Sequence, residues 1–179
     1  MSTLLSTLVL GGARSGKSAH AEKIARASGL NRIYVATGEA RDEEMRQRIA
    51  RHREDREQDG WTTIEEPIGL PAVLMREASP SRVLLVDCLT LWLSNLLLAG
   101  RDIASARAAL LTAISNARGP VVFVSNEVGM GIVPETPLGR SFRDAQGQLN
   151  QAVAAVLPEV IFVAAGLPLV LKTQAKAGG

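Results

Sequence analysis

The chain has 179 residues, 46% of them hydrophobic, and its 20 basic and 18 acidic residues give a formal net charge of +2. This length and apolar fraction suffice for one domain with one core, and the balanced charge gives little support to a dedicated nucleic-acid binder. The single cysteine, Cys88, excludes an intramolecular disulfide bond and suits a reducing compartment. Residues 1–10 lack the basic start of a signal peptide, and polar residues interrupt the apolar run 83–99, so we expect a cytoplasmic protein without a membrane span.

A phosphate-binding motif follows the first apolar run, 4–10. The pattern G-x-x-x-x-G-K-[ST] is formed by Gly11, Gly12, Ala13, Arg14, Ser15, Gly16, Lys17 and Ser18. Glycines let backbone N–H groups surround a polyphosphate, the lysine reaches the β- and γ-phosphates, and the serine hydroxyl binds Mg²⁺. A plain strand-to-helix turn without a ligand is the alternative, and a helix-forming stretch after the motif favours nucleotide binding.

Apolar runs alternate with helix-forming stretches along the rest of the chain, which predicts an α/β fold with a mostly parallel central sheet flanked by helices. Strands are predicted at 4–10, 32–36, 62–65, 83–87, 121–125, 160–164 and 169–172. Helices are predicted at 17–27, 42–57, 70–77, 103–117 and 141–156, with another after the strand 83–87. The link Gly166-Leu167-Pro168 predicts that the last two strands form an antiparallel hairpin. We expect residues 1–179 to form one nucleotide-binding domain, with 173–179 as a frayed tail.

An acidic residue ends the predicted strand 83–87. Four apolar residues precede Asp87, a pattern typical of the Walker B strand, whose carboxylate holds Mg²⁺ directly or through water. Aspartate is also a favoured helix N-cap, so capping of the next helix is the alternative role of Asp87.

The predicted helix 42–57 presents a histidine toward the protein body. Met45, Ile49, His52 and Arg56 fall on one narrow face at 100° per residue, and that face holds the large apolar side chains of the helix. Neighbouring arginines disfavour the imidazolium form, which leaves a neutral imidazole able to attack phosphorus. The alternative is a charged helix in which His52 only titrates.

A glycine-bearing loop leaves the predicted strand 121–125. Asn126 and Glu127 begin this loop, which makes it a candidate substrate loop, and Glu127 is a candidate metal ligand or hydroxyl-positioning group. Capping of a helix or pairing with an arginine explains Glu127 equally well.

Motifs along nearly the whole chain together resemble one bacterial enzyme family. The matching segments are 11–18 with 20–22, 34–37, 42–45, 48–49 with His52, Trp61, 86–90, 95–97, 125–134, 142–144 and 147–150. The block Ser125-Asn126-Glu127-Val128-Gly129-Met130-Gly131-Ile132-Val133-Pro134 is the most distinctive of them. The chain is similar to the bifunctional adenosylcobinamide kinases/adenosylcobinamide-phosphate guanylyltransferases of cobalamin biosynthesis.

The resemblance implies two reactions. ATP or GTP phosphorylates the aminopropanol hydroxyl of adenosylcobinamide; then GTP guanylylates a histidine, releasing pyrophosphate, and the GMP passes to adenosylcobinamide phosphate. The histidine matches His52, which joins Lys17 of the phosphate loop as the second candidate catalytic residue. The resemblance also implies a RecA-like P-loop fold and a homotrimer with sites near subunit interfaces, while the two sequence patterns place Mg²⁺ at Ser18 and Asp87. The implied nucleotide contacts beyond the loop are Ala36, Thr37, Gly38, Arg53, Glu54, Asp55, Arg56, Glu65 and Asp87.

Two other functions stay open. One is a P-loop small-molecule kinase without nucleotidyl transfer, and the other is a RecA-type module that only hydrolyses ATP.

Overall fold

A computed structural model describes residues 5–39, 47 and 58–173. Within these ranges the chain forms seven strands, β1 to β7 in chain order, and five helices, α1 to α5. The strands are Thr7–Gly11, Asn31–Ala36, Trp61–Glu65, Arg82–Asp87, Val121–Asn126, Glu159–Ala164 and Leu167–Thr173. The helices are Lys17–Ala27, Leu70–Glu77, Leu89–Leu98, Ile103–Ser115 and Pro137–Val156.

The seven strands form one sheet in the order β3-β2-β4-β5-β1-β6-β7. Every neighbouring pair is parallel except β6 and β7, which form the predicted antiparallel hairpin. Because β5 lies between β1 and β4, the glycine loop and Asp87 follow strands that are not direct neighbours. The mostly parallel α/β fold predicted from the sequence is confirmed.

Each face of the sheet carries its own core. On one face, α1 packs through Ala21 and Ala25 on buried side chains of the sheet, among them Val9 and Val122. The other face is covered by α2, α3, α4 and α5 around residues such as Phe123 and Trp92. Burial on both faces explains why the central strands read as continuous apolar runs in the sequence.

Local signals account for the helix boundaries. Helices α1 and α2 have the predicted bounds, whereas α5 begins at Pro137, four residues before the predicted start. The side chain of Thr136 accepts a hydrogen bond from the N–H of Gly139, and proline is well suited to the first helical position, so this cap explains the earlier start. In α4 the carboxylate of Asp102 caps the N–H of Ala104 in the same way.

Some predicted segments fall outside the described residues: all of the helix 42–57 except residue 47, and most of the tail 173–179. Thr173 itself belongs to β7. No helix within the described ranges has the length and apolarity needed to cross a bilayer.

Candidate functional site

The phosphate loop connects β1 to α1 as the sequence predicts. Gly16 has φ 92° and Arg14 has φ 54°, so the backbone turns through the left-handed region twice before the helix begins. The ammonium group of Lys17 donates a hydrogen bond to the carbonyl of Gly12 across the loop, at 3.1 Å. This hydrogen bond joins the lysine at the end of the loop to the backbone near its start.

Neighbouring strands hold the loop from outside. A Cβ on Gly11 would lie 2.5 Å from the carbonyl oxygen of Val163 on β6, so only glycine fits where β1 ends. The N–H of Gly166, in the turn between β6 and β7, donates to the carbonyl of Ser15 at 2.8 Å. The C-terminal hairpin thus braces the loop.

Groups able to bind an anion remain at this loop. The N-cap of α1 is Gly16, which provides no side-chain cap, and the first turn holds no acidic residue. The buried hydroxyl oxygen of Ser15 has no hydrogen-bond partner among the described residues. An uncapped helix N-terminus and a spare buried hydroxyl suit a phosphate group.

Asp87 is half-buried at the end of β4, and a side chain of the neighbouring strand β2 is hydrogen-bonded to its carboxylate. The hydroxyl of Tyr34 on β2 donates to Oδ2 of Asp87 at 2.6 Å. The N-cap of α3 is Cys88, and no side chain caps that helix. Asp87 therefore does not cap the following helix, which argues against the capping alternative and favours Asp87 as an acidic group of the site.

The other predicted contacts of this edge lie beside Asp87. Ala36 pairs with Asp87 on one side and with Glu65 on the other, so three strands bring these residues into one row. The hydroxyl of Thr37 accepts from the N–H of Cys88 and donates to its carbonyl, at 2.8 and 2.7 Å. Thr37 therefore fixes the chain after β4, and the half-buried Gly38 follows it.

Asn126 and Glu127 lie next to the phosphate loop. Asn126 pairs with Gly11, and the N–H of Glu127 donates to the carbonyl of Gly11 at 3.1 Å. The carboxylate of Glu127 accepts from the N–H of Gly129, within its own loop, and among the described residues it neither caps a helix nor pairs with an arginine. Glu127 and Asp87 each use one carboxylate oxygen in a hydrogen bond, so both stay candidates for a metal.

The oxygen donors at this edge fit Mg²⁺. Mg²⁺ is usually bound by one or two protein oxygens together with phosphates and water, rather than by a cage of side chains. In the described part of the chain, no three His, Cys, Asp or Glu residues cluster as a metal site. Ser18 in the first turn of α1 and Asp87 at the end of β4 provide such a sparse set.

The candidate nucleophile, His52, lies outside the described residues, as do Arg53, Glu54, Asp55 and Arg56. The described histidine, His20, lies one turn into α1. Burial and the charge of Lys23 lower the pKa of its imidazole, against an opposing effect of Glu159. Burial and the nearby Asp87 raise the pKa of the Cys88 thiol, so this cysteine stays protonated near neutral pH and is a poor nucleophile.

Several supporting residues received no role in the sequence reasoning. Tyr34 orients Asp87, Gly166 braces the loop, and Thr90 accepts from the N–H of Asn126. Gln146 and Asn150, buried on α5, both bond to Ser125 at the end of β5. Their spacing of four residues on the buried face of a helix was a usable signal, because buried amides need partners.

Comparison with known proteins identifies the family. The sequence model described as cobinamide kinase / cobinamide phosphate guanyltransferase matches residues 7–171. The chain belongs to this family. The bifunctional adenosylcobalamin biosynthesis protein CobP of Pseudomonas aeruginosa is 50% identical over 169 residues, which cover 93% of this chain and 97% of that protein. The protein CobU of Escherichia coli, with the same description, is 39% identical over 180 residues, covering 92% and 98%.

Solved structures agree on the fold of this family member. The flagellar accessory protein FlaH of Methanocaldococcus jannaschii has a TM-score of 0.54 at 13% identity, covering 99% of this chain and 82% of its own. A type III secretion ATPase of pathogenic bacteria has a TM-score of 0.56 at 11% identity, covering 94% and 57%. At such identities the likeness shows the fold alone, which is the predicted RecA-like P-loop NTPase fold.

Proposed function

We propose that the chain catalyses both reactions of its family at the loop edge of the sheet. In the first, the aminopropanol hydroxyl of adenosylcobinamide attacks the γ-phosphorus of ATP or GTP, giving adenosylcobinamide phosphate and the nucleoside diphosphate. The observation that carries the proposal is the loop closed by Lys17 on the carbonyl of Gly12, with Asp87 bonded to Tyr34 at the end of β4, which β5 separates from β1. Lys17 would contact the β- and γ-phosphates, and the N–H groups at the start of α1 would bind their oxygens.

For the second reaction we propose His52 as the nucleophile. Its imidazole attacks the α-phosphorus of GTP, a phosphorus–nitrogen bond forms and pyrophosphate leaves. The phosphate of adenosylcobinamide phosphate then attacks the same phosphorus and releases the histidine, giving adenosylcobinamide-GDP. A covalent intermediate divides the transfer into two displacements, so both substrates use one site in turn. The arginines beside His52 in the sequence support this assignment, since cations keep imidazole neutral and bind phosphates.

We propose Mg²⁺ as the metal that accompanies the nucleotide, held by Ser18 and Asp87. It would neutralise the charge that develops on the phosphate oxygens. Ala36, Thr37, Gly38, Glu65 and residues 53–56 would contact the rest of the nucleotide. The row formed by Glu65, Ala36 and Asp87 along the sheet edge supports this extension.

We also propose that the protein is a cytoplasmic homotrimer. The free, buried Cys88 suits a reducing compartment. Strand β7 is an edge strand whose apolar residues are exposed, and such edges favour pairing with another chain. The trimeric number follows from the resemblance to the family.

Labelling with GTP tests the nucleophile. The protein is incubated with Mg²⁺ and GTP labelled at the α-phosphorus, quenched, and examined for protein-bound label that is stable to base and labile to acid. We expect label on wild type and on His20→Ala, and none on His52→Ala. His20→Ala is the matched control, because it removes the other histidine of the chain.

Other outcomes would favour the alternatives. Phosphorylation of the corrinoid without label on wild type would leave a small-molecule kinase. Nucleotide hydrolysis without any phosphorylated corrinoid would leave an ATPase module. Label that persists on His52→Ala and is lost from His20→Ala would identify His20 on α1 as the nucleophile.

A further inference from the structure

An exposed apolar segment lies between β5 and α5, in the loop whose residue Glu127 is hydrogen-bonded to the phosphate loop. Met130 is 80% exposed, Ile132 is 97% exposed and Val133 is 57% exposed, and Leu138 at the start of α5 is also exposed. We call Met130, Ile132 and Val133 the apolar tip. Three large apolar side chains on four consecutive positions, all facing solvent, are unusual for a surface loop and mark an interaction site.

Both ends of this segment are fixed, so the exposure of its middle is not that of a frayed terminus. At one end, the N–H of Glu127 bonds to the carbonyl of Gly11, and Glu127 also accepts from Gly129. At the other end, the guanidinium of Arg140 donates to the carbonyls of Pro134 and Glu135 at 3.1 and 2.7 Å. The apolar tip is thus presented by a short anchored loop.

Chain geometry limits the distance between the tip and the phosphate loop. A residue advances the chain by about 3.6 Å at most, so the Cα of Ile132, five residues after Glu127, lies within roughly 18 Å of it. Glu127 is itself hydrogen-bonded to the phosphate loop. A ligand with a flexible substituent in the phosphate loop could place the rest of the molecule against the apolar tip.

Cobinamide, the acceptor substrate in the reactions of this family, combines a large ring with one flexible arm. Cobinamide is a macrocycle with a methyl-bearing ring, and its reacting hydroxyl sits at the end of a flexible aminopropanol arm. The arm must enter the loop edge while the ring, which is larger than a nucleotide base, stays outside. Apolar side chains at the entrance would bind the ring and hold its arm toward the γ-phosphate.

We propose that the apolar tip is the corrinoid-binding surface and that Met130 and Ile132 determine affinity for the macrocycle. This inference rests on the proposed function, since it assigns residues to the acceptor of that reaction. The corrin ring would then contact a surface outside the proposed nucleotide contacts.

Equilibrium dialysis with cobinamide, followed by its visible absorbance, tests the proposal without relying on turnover. We expect Met130→Asp and Ile132→Asp each to bind cobinamide roughly tenfold more weakly, about 1.4 kcal/mol, because a charge replaces an apolar contact. Ile132→Leu should keep the wild-type affinity. Leu98→Asp is the matched control, since Leu98 is 58% exposed at the far end of α3. Nucleotide affinity should be unchanged in all four variants.

Three results would overturn the inference. Unchanged cobinamide affinity in both aspartate variants, with normal wild-type binding, would overturn it and leave the proposed function intact. Weaker binding accompanied by loss of subunit association in sedimentation would assign the tip to a contact between copies. A wild type that binds GTP but does not bind cobinamide would overturn the proposed function together with the inference.

Discussion

The hydroxyl of Tyr34 orients the carboxylate of Asp87, the acidic residue of the candidate site. Tyr34 is 6% exposed and donates to Asp87 across two neighbouring strands, at 2.6 Å. A hydrogen bond to a charged group contributes about 1.5–3 kcal/mol, and groups that orient a metal ligand affect metal affinity strongly. Tyr34 is therefore a positioning residue rather than a catalytic one.

We expect Tyr34→Phe to weaken metal binding by roughly tenfold, because the Asp87 carboxylate loses the donor that orients it. Electron paramagnetic resonance of Mn²⁺, titrated in the presence of a non-hydrolysable GTP analogue, measures this directly. Thr63→Val on the neighbouring strand β3 is the control, because the buried hydroxyl of Thr63 has no hydrogen-bond partner among the described residues. Equal Mn²⁺ affinity in wild type and Tyr34→Phe would show that Asp87 does not need this tyrosine.

At the scale of elements, the phosphate loop depends on a close approach between β1 and β6. A Cβ on Gly11 would collide with the side chain of Ser15 and with the carbonyl of Val163, whereas a Cβ on Gly12 meets nothing within 4 Å. The two adjacent glycines therefore differ sharply in what they tolerate.

We expect Gly11→Ala to lower the free energy of unfolding by about 1–3 kcal/mol, the usual cost of overpacking, and Gly12→Ala to leave it nearly unchanged. Thermal unfolding without nucleotide checks this, since 1 kcal/mol corresponds to roughly 2–4 °C in a protein of this size. Equal melting temperatures for the two variants would mean that the loop relaxes freely and that β6 does not constrain it.

The elements that the sequence predicts well carry their own local signals. Helix α1 starts where the glycine loop ends, and Asp87 ends a strand of four buried residues, so pattern alone identifies both. Bonds such as Tyr34 to Asp87 and Gly166 to Ser15 depend on which strands are neighbours and on their register. Periodicity along one strand contains no information about its partner, so these bonds could not be predicted.

At the scale of the whole molecule, strand order decides which predicted groups meet. Insertion of β5 between β1 and β4 brings Asn126 and Glu127 against Gly11 and moves Asp87 one strand away. All these groups share one edge of the sheet, because the carboxyl ends of parallel strands lie there. Their order along that edge required the structure.

The outer edge of the sheet bears on assembly. Among the described strands, β7 pairs with β6 alone, and Leu167, Leu169, Val170 and Leu171 along it are more than half exposed. Soluble proteins usually protect such an edge with charge, proline or a partner chain. Pro168 protects only its beginning, so contact between copies is the expected protection for the rest.

We therefore expect the double substitution Leu169→Lys with Val170→Lys to dissociate the assembly, because adjacent strand residues point to opposite faces, so a charge would have to be buried whichever face of β7 the partner covers. Sedimentation equilibrium over a range of protein concentrations should give a trimer mass for wild type and a lower mass for the variant. The control is Met75→Lys on α2, where Met75 is 52% exposed and away from β7. A monomer mass for wild type would contradict the trimer, and an unchanged trimer in the double variant would place the contact elsewhere on the molecule.

The same samples should also be titrated with GTP, because the turn between β6 and β7 braces the phosphate loop through Gly166. Dissociation of the subunits with unchanged GTP affinity would show that this brace does not depend on assembly.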